Sequence, residues 1–328
     1  MGLLVDGVWT TDDDYFKGDK SGHFQRNRTS FRNWVTPDGE AGPTGDGGFR
    51  AEPGRYHLYV SYACPWAHRT LIFRALKNLE DVISLSVVDY HLGENGWFFS
   101  ERDGAIPDSV NGAEFLHQVY AKAKADYTGR VTVPVLWDRE TDTIVSNESA
   151  EIIRMLDTAF DSFTDVRIDA YPEALRTEID EINARIYRFV NNGVYRCGFA
   201  GTQEAYNDAF RSLFETLDDV EERLAQHRYL VGSPRPTEAD WRLFTTLVRF
   251  DPVYYVHFKC NQRRIADYPN LSNYLRDLYQ TPKVSETVNM HHIKQHYYGS
   301  HDVINPRLIV PLGPELDYGA PHDRERLN

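Results

Sequence analysis

Val60 to Thr70 reads VSYACPWAHRT, a cysteine followed at once by proline. The run RYHLYVS ahead of it predicts a strand, and Pro65 fits the first turn of a helix, so Cys64 falls at a strand-to-helix junction. A thiol there meets unpaired backbone N–H groups and the positive end of the helix dipole, and both favour thiolate. Free cysteine titrates near roughly 8.5, and helix N-termini bring it to about 3.5–7.5. A shift of about two units, worth roughly 2.7 kcal/mol, turns a minor thiolate fraction into a majority near neutral pH. A dithiol site would place a second cysteine three positions on, where this chain has Ala67. A mixed disulfide formed on Cys64 must therefore be resolved by a thiol from solution. Cys197 and Cys260 have no such setting and are expected to be buried and inert.

Two more stretches carry chemistry. The proline inside VTVPVLWD is expected to follow a cis Val133–Pro134 bond, leaving the Val133 backbone to pair with an extended, peptide-like ligand; the plainer alternative is an edge-strand proline. In SNESAEIIRMLDTAF, Asn147 is the expected helix cap, with Glu148 and Ser149 opening the helix. N–H groups and a hydroxyl at that end can take a carboxylate, and Glu148 can meet an ammonium. Alone, a glutamate in a first turn is ordinary dipole chemistry. His292 and His296 in NMHHIKQHYYGSH stand four apart, a spacing that can bind metal. No third ligand or acidic partner follows at a telling distance, so no metal site is expected and the pair is read as solvated or supporting.

The elements that must position these residues change character along the chain. Residues 1–54 hold no period of 2 or 3.6 and read as an irregular N-terminal extension, packed on the body through Trp9, Phe24, Phe31 and Trp34. Residues 55–160 follow the order strand, helix to about Leu79, strand (Ile83 to Asp89), long loop (90–112), helix (113–126), strand, strand, helix. That is the order of a thioredoxin-like α/β layer, and a loop of such length inside a domain is usually functional. After a polar link near 161–172 the pattern is helical only. LRTEIDEINARIYRFVNN, AYNDAFRSLFETLDDVEERLAQ, WRLFTTLVRFDPVYYVHF and NLSNYLRDLYQ all show apolar i, i+3, i+4 repeats. TEAD (Thr237 to Asp240) is a capping box with Asp in place of Glu. The expected organisation is α/β plus all-α, with the helical domain over 172–299 and a tail over 300–328.

A formal charge of −13 over 328 residues sets nucleic acid and anionic membrane aside as partners. Three widely spaced cysteines make neither a disulfide framework nor a zinc motif. With no signal-peptide pattern at the start and no apolar run long enough to span a bilayer, the chain is expected to be a soluble cytoplasmic protein.

Cys-Pro, a proline in the following strand and SNES, in that order, resemble the cytosolic glutathione transferases. Together CPWAHRT, ENGWFF, GRVTVPVLWD, SNESAEIIRM, NNGVY, RFDPVYY and HYYGSH resemble their Xi class, the glutathionyl-hydroquinone reductases, over nearly the whole chain. The resemblance implies a thioredoxin-like domain followed by a glutathione-transferase-type helical domain, and a homodimer. It implies that Cys64 is the nucleophile. Trp97, the segment Arg130, Val131, Thr132 and Val133, and Glu148 with Ser149 match glutathione-binding positions. Tyr195 matches the tyrosine that exchanges a proton with the quinol oxygen. Tyr254 and Tyr297 match tyrosines that help stabilise the thiolate, with Tyr255 and Tyr298 one residue away as alternatives. The implied reaction is reduction of an aromatic glutathionyl-hydroquinone with glutathione as co-substrate. An omega-like thioltransferase or dehydroascorbate reductase, and a non-catalytic scaffold, are the competing readings.

Overall fold

The computed structural model describes residues 2–11 and 21–327; residues 12–20 of the expected extension lie outside them. Two compact units emerge, the first from residues 2–11, 27–168 and 287–296, the second from 21–26, 169–286 and 297–327.

The first unit is built on a four-stranded sheet ordered β6-β5-β7-β8. β5 (Tyr56–Val60) is buried along its whole length, as a central strand must be. It pairs in parallel with β6 (Ser84–Val87) and antiparallel with β7 (Val135–Asp138), which pairs antiparallel with β8 (Thr143–Ser146). The strand expected over VTVPVLWD is thus shorter, because Pro134 has no N–H to give a ladder and pairing begins after it. α1 (Pro65–Leu76) follows β5, and Asn78 at φ 53 ends it earlier than the periodicity suggests. α2 (Leu116–Ala123) and α3 (Ser149–Thr158) complete the layer, with α3 packed against α1.

The extension is more ordered than its sequence suggests. β1 (Leu3–Val5) and β2 (Val8–Thr10) form one antiparallel pair, and β3 (Trp34–Thr36) and β4 (Gly48–Arg50) a parallel one. Three-residue strands are too short to show a period. The aromatics do pack: Trp9 stacks on His117 at 4.8 Å and Phe31 on Tyr127 at 5.5 Å. Phe31 N also donates to Asn147 Oδ1 and the Phe31 carbonyl accepts from Asn147 N, laying the extension along the edge of β8.

The second unit is helical: α4 (Arg176–Ile186), α5 (Gly193–Gly198), α6 (Gln203–Gln226), α7 (Glu238–Arg249) and α8 (Pro269–Tyr279). α9 (Met290–Ser300) contributes residues 290–296 to the first unit and 297–300 to this one. Leu213, Leu217, Val220 and Leu224 form the buried stripe of α6. α7 is buried on every face, so its polar groups need partners. Glu238 accepts from Asn183 Nδ2 at 2.8 Å, and Thr246 Oγ1 from Asn191 Nδ2 at 2.7 Å. The TEAD box caps α7 as expected, and buried Asp240 also accepts from Leu230 N and the Tyr274 hydroxyl. Two long helical patterns break into an α-helix and a π-helical turn, at Tyr187–Asn191 and Phe250–Tyr254. No helix among the described residues is long and apolar enough to cross a membrane.

Candidate functional site

Cys64 is the N-cap of α1, half-buried, with extended backbone and Pro65 in the first turn. No acidic side chain stands in that turn, so nothing there opposes the positive helix end. The Sγ atom lies 3.6 Å from the Val133 carbonyl, to which the thiol donates. The Val133–Pro134 peptide is cis, as the sequence suggested. The thiol occupies one of the two lone pairs of the Val133 carbonyl.

The segment Arg130 to Val133 is held from behind by two tyrosines that the sequence reading missed. Tyr127 donates to the Arg130 carbonyl at 3.0 Å. The Tyr120 hydroxyl donates to the Thr132 carbonyl at 2.8 Å and accepts from Thr132 N and from Asn147 Nδ2. Burial pushes the Tyr120 phenol up to about 12, so it stays a donor at any working pH. Val131 and Val133 are buried; Arg130 and Thr132 are half-exposed. Tyr120 and Tyr127 stand seven residues apart just ahead of this segment, but nothing in the sequence says where a hydroxyl points.

At the start of α3 the N-cap is Glu148, not Asn147. Asn147 is drawn away because its amide serves Phe31 N and the Tyr120 hydroxyl. Glu148 Oε1 accepts from Ala150 N at 3.1 Å and Oε2 from Thr29 Oγ1 at 2.9 Å. Ser149 is buried, and its hydroxyl accepts from Arg69 Nη1, whose guanidinium lies 4.5 Å from the Trp66 ring. Trp97 sits in the 90–112 loop, 9% exposed, its ring stacked on His296 at 4.9 Å. Cys64, Trp97, Arg130 to Val133, Glu148 and Ser149 thus all belong to the first unit.

Tyr195, Tyr254 and Tyr297 belong to the second, where their hydroxyls form a chain. Tyr195 Oη lies 2.5 Å from Tyr297 Oη, which lies 3.0 Å from Tyr254 Oη. Burial, with the two neighbouring phenols, pushes Tyr297 well above the usual tyrosine range. The alternatives one residue away stand apart from this chain: Tyr298 donates to the Pro252 carbonyl and Tyr255 is half-exposed. The π-helical turn before α5 aims Tyr195. Asn191 is pinned to α7, and Asn192 accepts from Arg26 Nε at 2.9 Å. Arg26, also missed, lies 4.9 Å from the Tyr195 ring centroid. A Cβ on Gly198 would come within 2.3 Å of the Phe258 ring, so only glycine lets α5 close on that neighbour.

Cys197 and Cys260 are buried, and burial raises the Cys260 thiol well above its ordinary value, with a hydrogen bond to Cys197 adding to the rise. His292 and His296 are buried too, not solvated, and each holds a backbone carbonyl. Among the described residues no group of three or more His, Cys, Asp or Glu is arranged to hold a metal.

Comparison with known proteins covers both units. Residues 63–159 match the family described as Glutathione S-transferase, N-terminal domain, and residues 203–277 the Glutathione S-transferase, C-terminal domain. The chain is 57% identical over 326 residues to Glutathionyl-hydroquinone reductase YqjG of Escherichia coli K12, covering 99% of each chain. The glutathione-bound structure of that protein superposes with a TM-score of 0.91 over 99% of each chain. Glutathionyl-hydroquinone reductase PcpF of Sphingobium chlorophenolicum is 55% identical over 96% of each chain. A Xi class glutathione transferase structure from Natrialba magadii, 52% identical, superposes with a TM-score of 0.91 over 100% of this chain and 97% of that one.

Proposed function

The chain belongs to the glutathione transferases, in their Xi class of glutathionyl-hydroquinone reductases, and from that membership we propose that it reduces glutathionyl-hydroquinones through Cys64. The observation that carries this reading is the placement of one half-exposed thiol at a helix N-terminus, against a backbone carbonyl beside a cis proline, with alanine where a resolving cysteine would stand.

In the first step the Cys64 thiolate attacks the sulfur of the aryl thioether. The C–S bond breaks and its electron pair stays with the ring, which takes a proton and leaves as hydroquinone. Cys64 and glutathione are left joined as a mixed disulfide. In the second, another glutathione thiolate attacks that disulfide, giving oxidised glutathione and free Cys64. Tyr195 supplies the proton to the departing ring. Two hydrogen bonds among three hydroxyls use two protons, and a chain directed from Tyr254 through Tyr297 leaves the Tyr195 proton to act outside the trio. Glutathione is an anionic peptide; Arg130, the N–H groups of α3 with Ser149, and the Val133 backbone suit its carboxylates and amide, while Glu148 suits its ammonium. Once the thiol ionises it can no longer donate to the Val133 carbonyl, which is then released to the ligand. Trp97 contributes apolar cover.

Chromatography of products from glutathionyl-menadione and from dehydroascorbate tests the reading. Release of hydroquinone with one oxidised glutathione per turnover is expected; turnover of dehydroascorbate alone contradicts it. We further propose a cytoplasmic homodimer, consistent with three free thiols. Sedimentation as a single species of twice the chain mass is expected, and a monomer contradicts it.

A further inference from the structure

The histidines of NMHHIKQH find their use in the loop that carries Trp97. His292 Nε2 donates to the Asp103 carbonyl at 2.6 Å, and His296 Nδ1 to the Tyr90 carbonyl at 2.8 Å. Carbonyls only accept, so each of these nitrogens must carry the proton. The two histidines lie one helical turn apart on one face, and the carbonyls they hold are the two feet of the 90–103 loop. Just before the first foot Asp89 draws the loop together, its carboxylate accepting from His91 N and Ser100 Oγ and pairing with Arg102. His292 also packs edge-on against Tyr62, two residues before Cys64, at 5.3 Å. His296 does one thing more: its ring lies 4.9 Å from the Trp97 indole at 26°.

We propose that His296 is a positioning residue for Trp97, fixing through one ring both the foot of the loop and the plane of the indole, so that Trp97 meets glutathione without first being ordered. This rests on the reading of Trp97 as a glutathione contact. An aromatic stack contributes beyond the area it buries, and a hydrogen bond contributes a similar net amount. Losing either weakens binding by several-fold and losing both by about tenfold.

Glutathione binding to the reduced full-length protein, followed by calorimetry, tests this together with steady-state kinetics. His296→Ala is expected to raise both the glutathione Kd and its KM by about tenfold, with kcat changed less than twofold. His296→Phe keeps a ring on the indole and loses the Tyr90 bond. His296→Asn keeps a donor near the Nδ1 position and loses the ring. Each is expected to fall between wild type and alanine, and either serves if the alanine variant does not fold. In a Trp97→Ala background, His296→Ala should weaken binding no further. Wild-type affinity in the His296 variants, or a full additive loss without Trp97, overturns the positioning role. Unchanged affinity in Trp97→Ala alone overturns the underlying reading of the tryptophan instead, so the two failures are separable.

Discussion

At the scale of single residues, the chemistry turns on where protons sit. Tyr195→Phe removes the hydroxyl assigned to the departing ring and leaves the hydrophobic cluster around it filled. Hydroquinone release in a single turnover should slow by about 100-fold while glutathione affinity stays within twofold. Weaker binding with an unchanged chemical step would contradict the assignment. His57 gives a second test, of stability. It lies fully buried in β5 between the hydroxyls of Ser84 and Ser86, and Ser86 donates onward to the Pro107 carbonyl. His57 therefore gives its Nε2 proton to Ser86 and takes one from Ser84, an arrangement for the neutral ring. Burial, with Arg139 adding repulsion, pushes its pKa down to about 4. Because the folded value lies below the unfolded one, stability is fully present above about pH 6.5 and is lost as pH falls toward 4. The loss amounts to about 3 kcal/mol. Urea midpoints at pH 7 and pH 4.5 should show it in wild type, and most of the difference should vanish in His57→Gln. Neither hydroxyl partner was legible in the sequence, since Ser84 and Ser86 reach His57 only through strand pairing.

At the scale of elements, local signals were legible wherever the partners lie close in the chain. Pro65 starts α1 and the TEAD box starts α7, each as its spacing predicts. The cap of α3 failed for the opposite reason: the partners of Asn147 are Phe31 and Tyr120, far away in sequence. The breaks between α4 and α5 and at the end of α7 were also hidden. A π-helical turn keeps the apolar repeat going while it rotates the next residues, and such turns gather at functional positions. Here one precedes Tyr195 and the other contains Tyr254. The tail, which showed no periodicity, is held through Tyr318, His322 and, most deeply, Arg324. Arg324 is fully buried and donates to the carbonyls of Leu224, His227 and Arg228 at the C-terminus of α6. Arg324→Ala should cost about 3 kcal/mol in chemical denaturation. Arg324→Lys should restore only part of it, because an ammonium cannot span three carbonyls as a planar guanidinium does. Full recovery with lysine would argue that charge alone holds the tail.

At the scale of the molecule, the division into an α/β layer and a helical array was legible because hydrophobic period changes from 2 to 3.6 along the chain. The part played by the N-terminal extension was not, because its aromatics act through contacts and not through any period. Phe31 packs on both Tyr120 and Tyr127, the tyrosines that hold Arg130 and Thr132. Phe31→Ala should therefore raise the glutathione KM several-fold and lower stability by about 2 kcal/mol, a partial cost for a half-buried ring. A stability loss with unchanged KM would make the extension a brace and no part of the binding site.

The central claim is that one thiol takes the glutathionyl group from an aryl thioether and passes it to a glutathione thiol from solution. Intact mass measured after mixing the enzyme with one equivalent of glutathionyl-menadione tests it most directly. One glutathionyl group should appear on the protein, mapped to Cys64, with one equivalent of hydroquinone released, and should disappear on adding glutathione. Cys64→Ala should show neither adduct nor turnover. Turnover in that variant, or an adduct mapped to Cys197 or Cys260, would contradict the account.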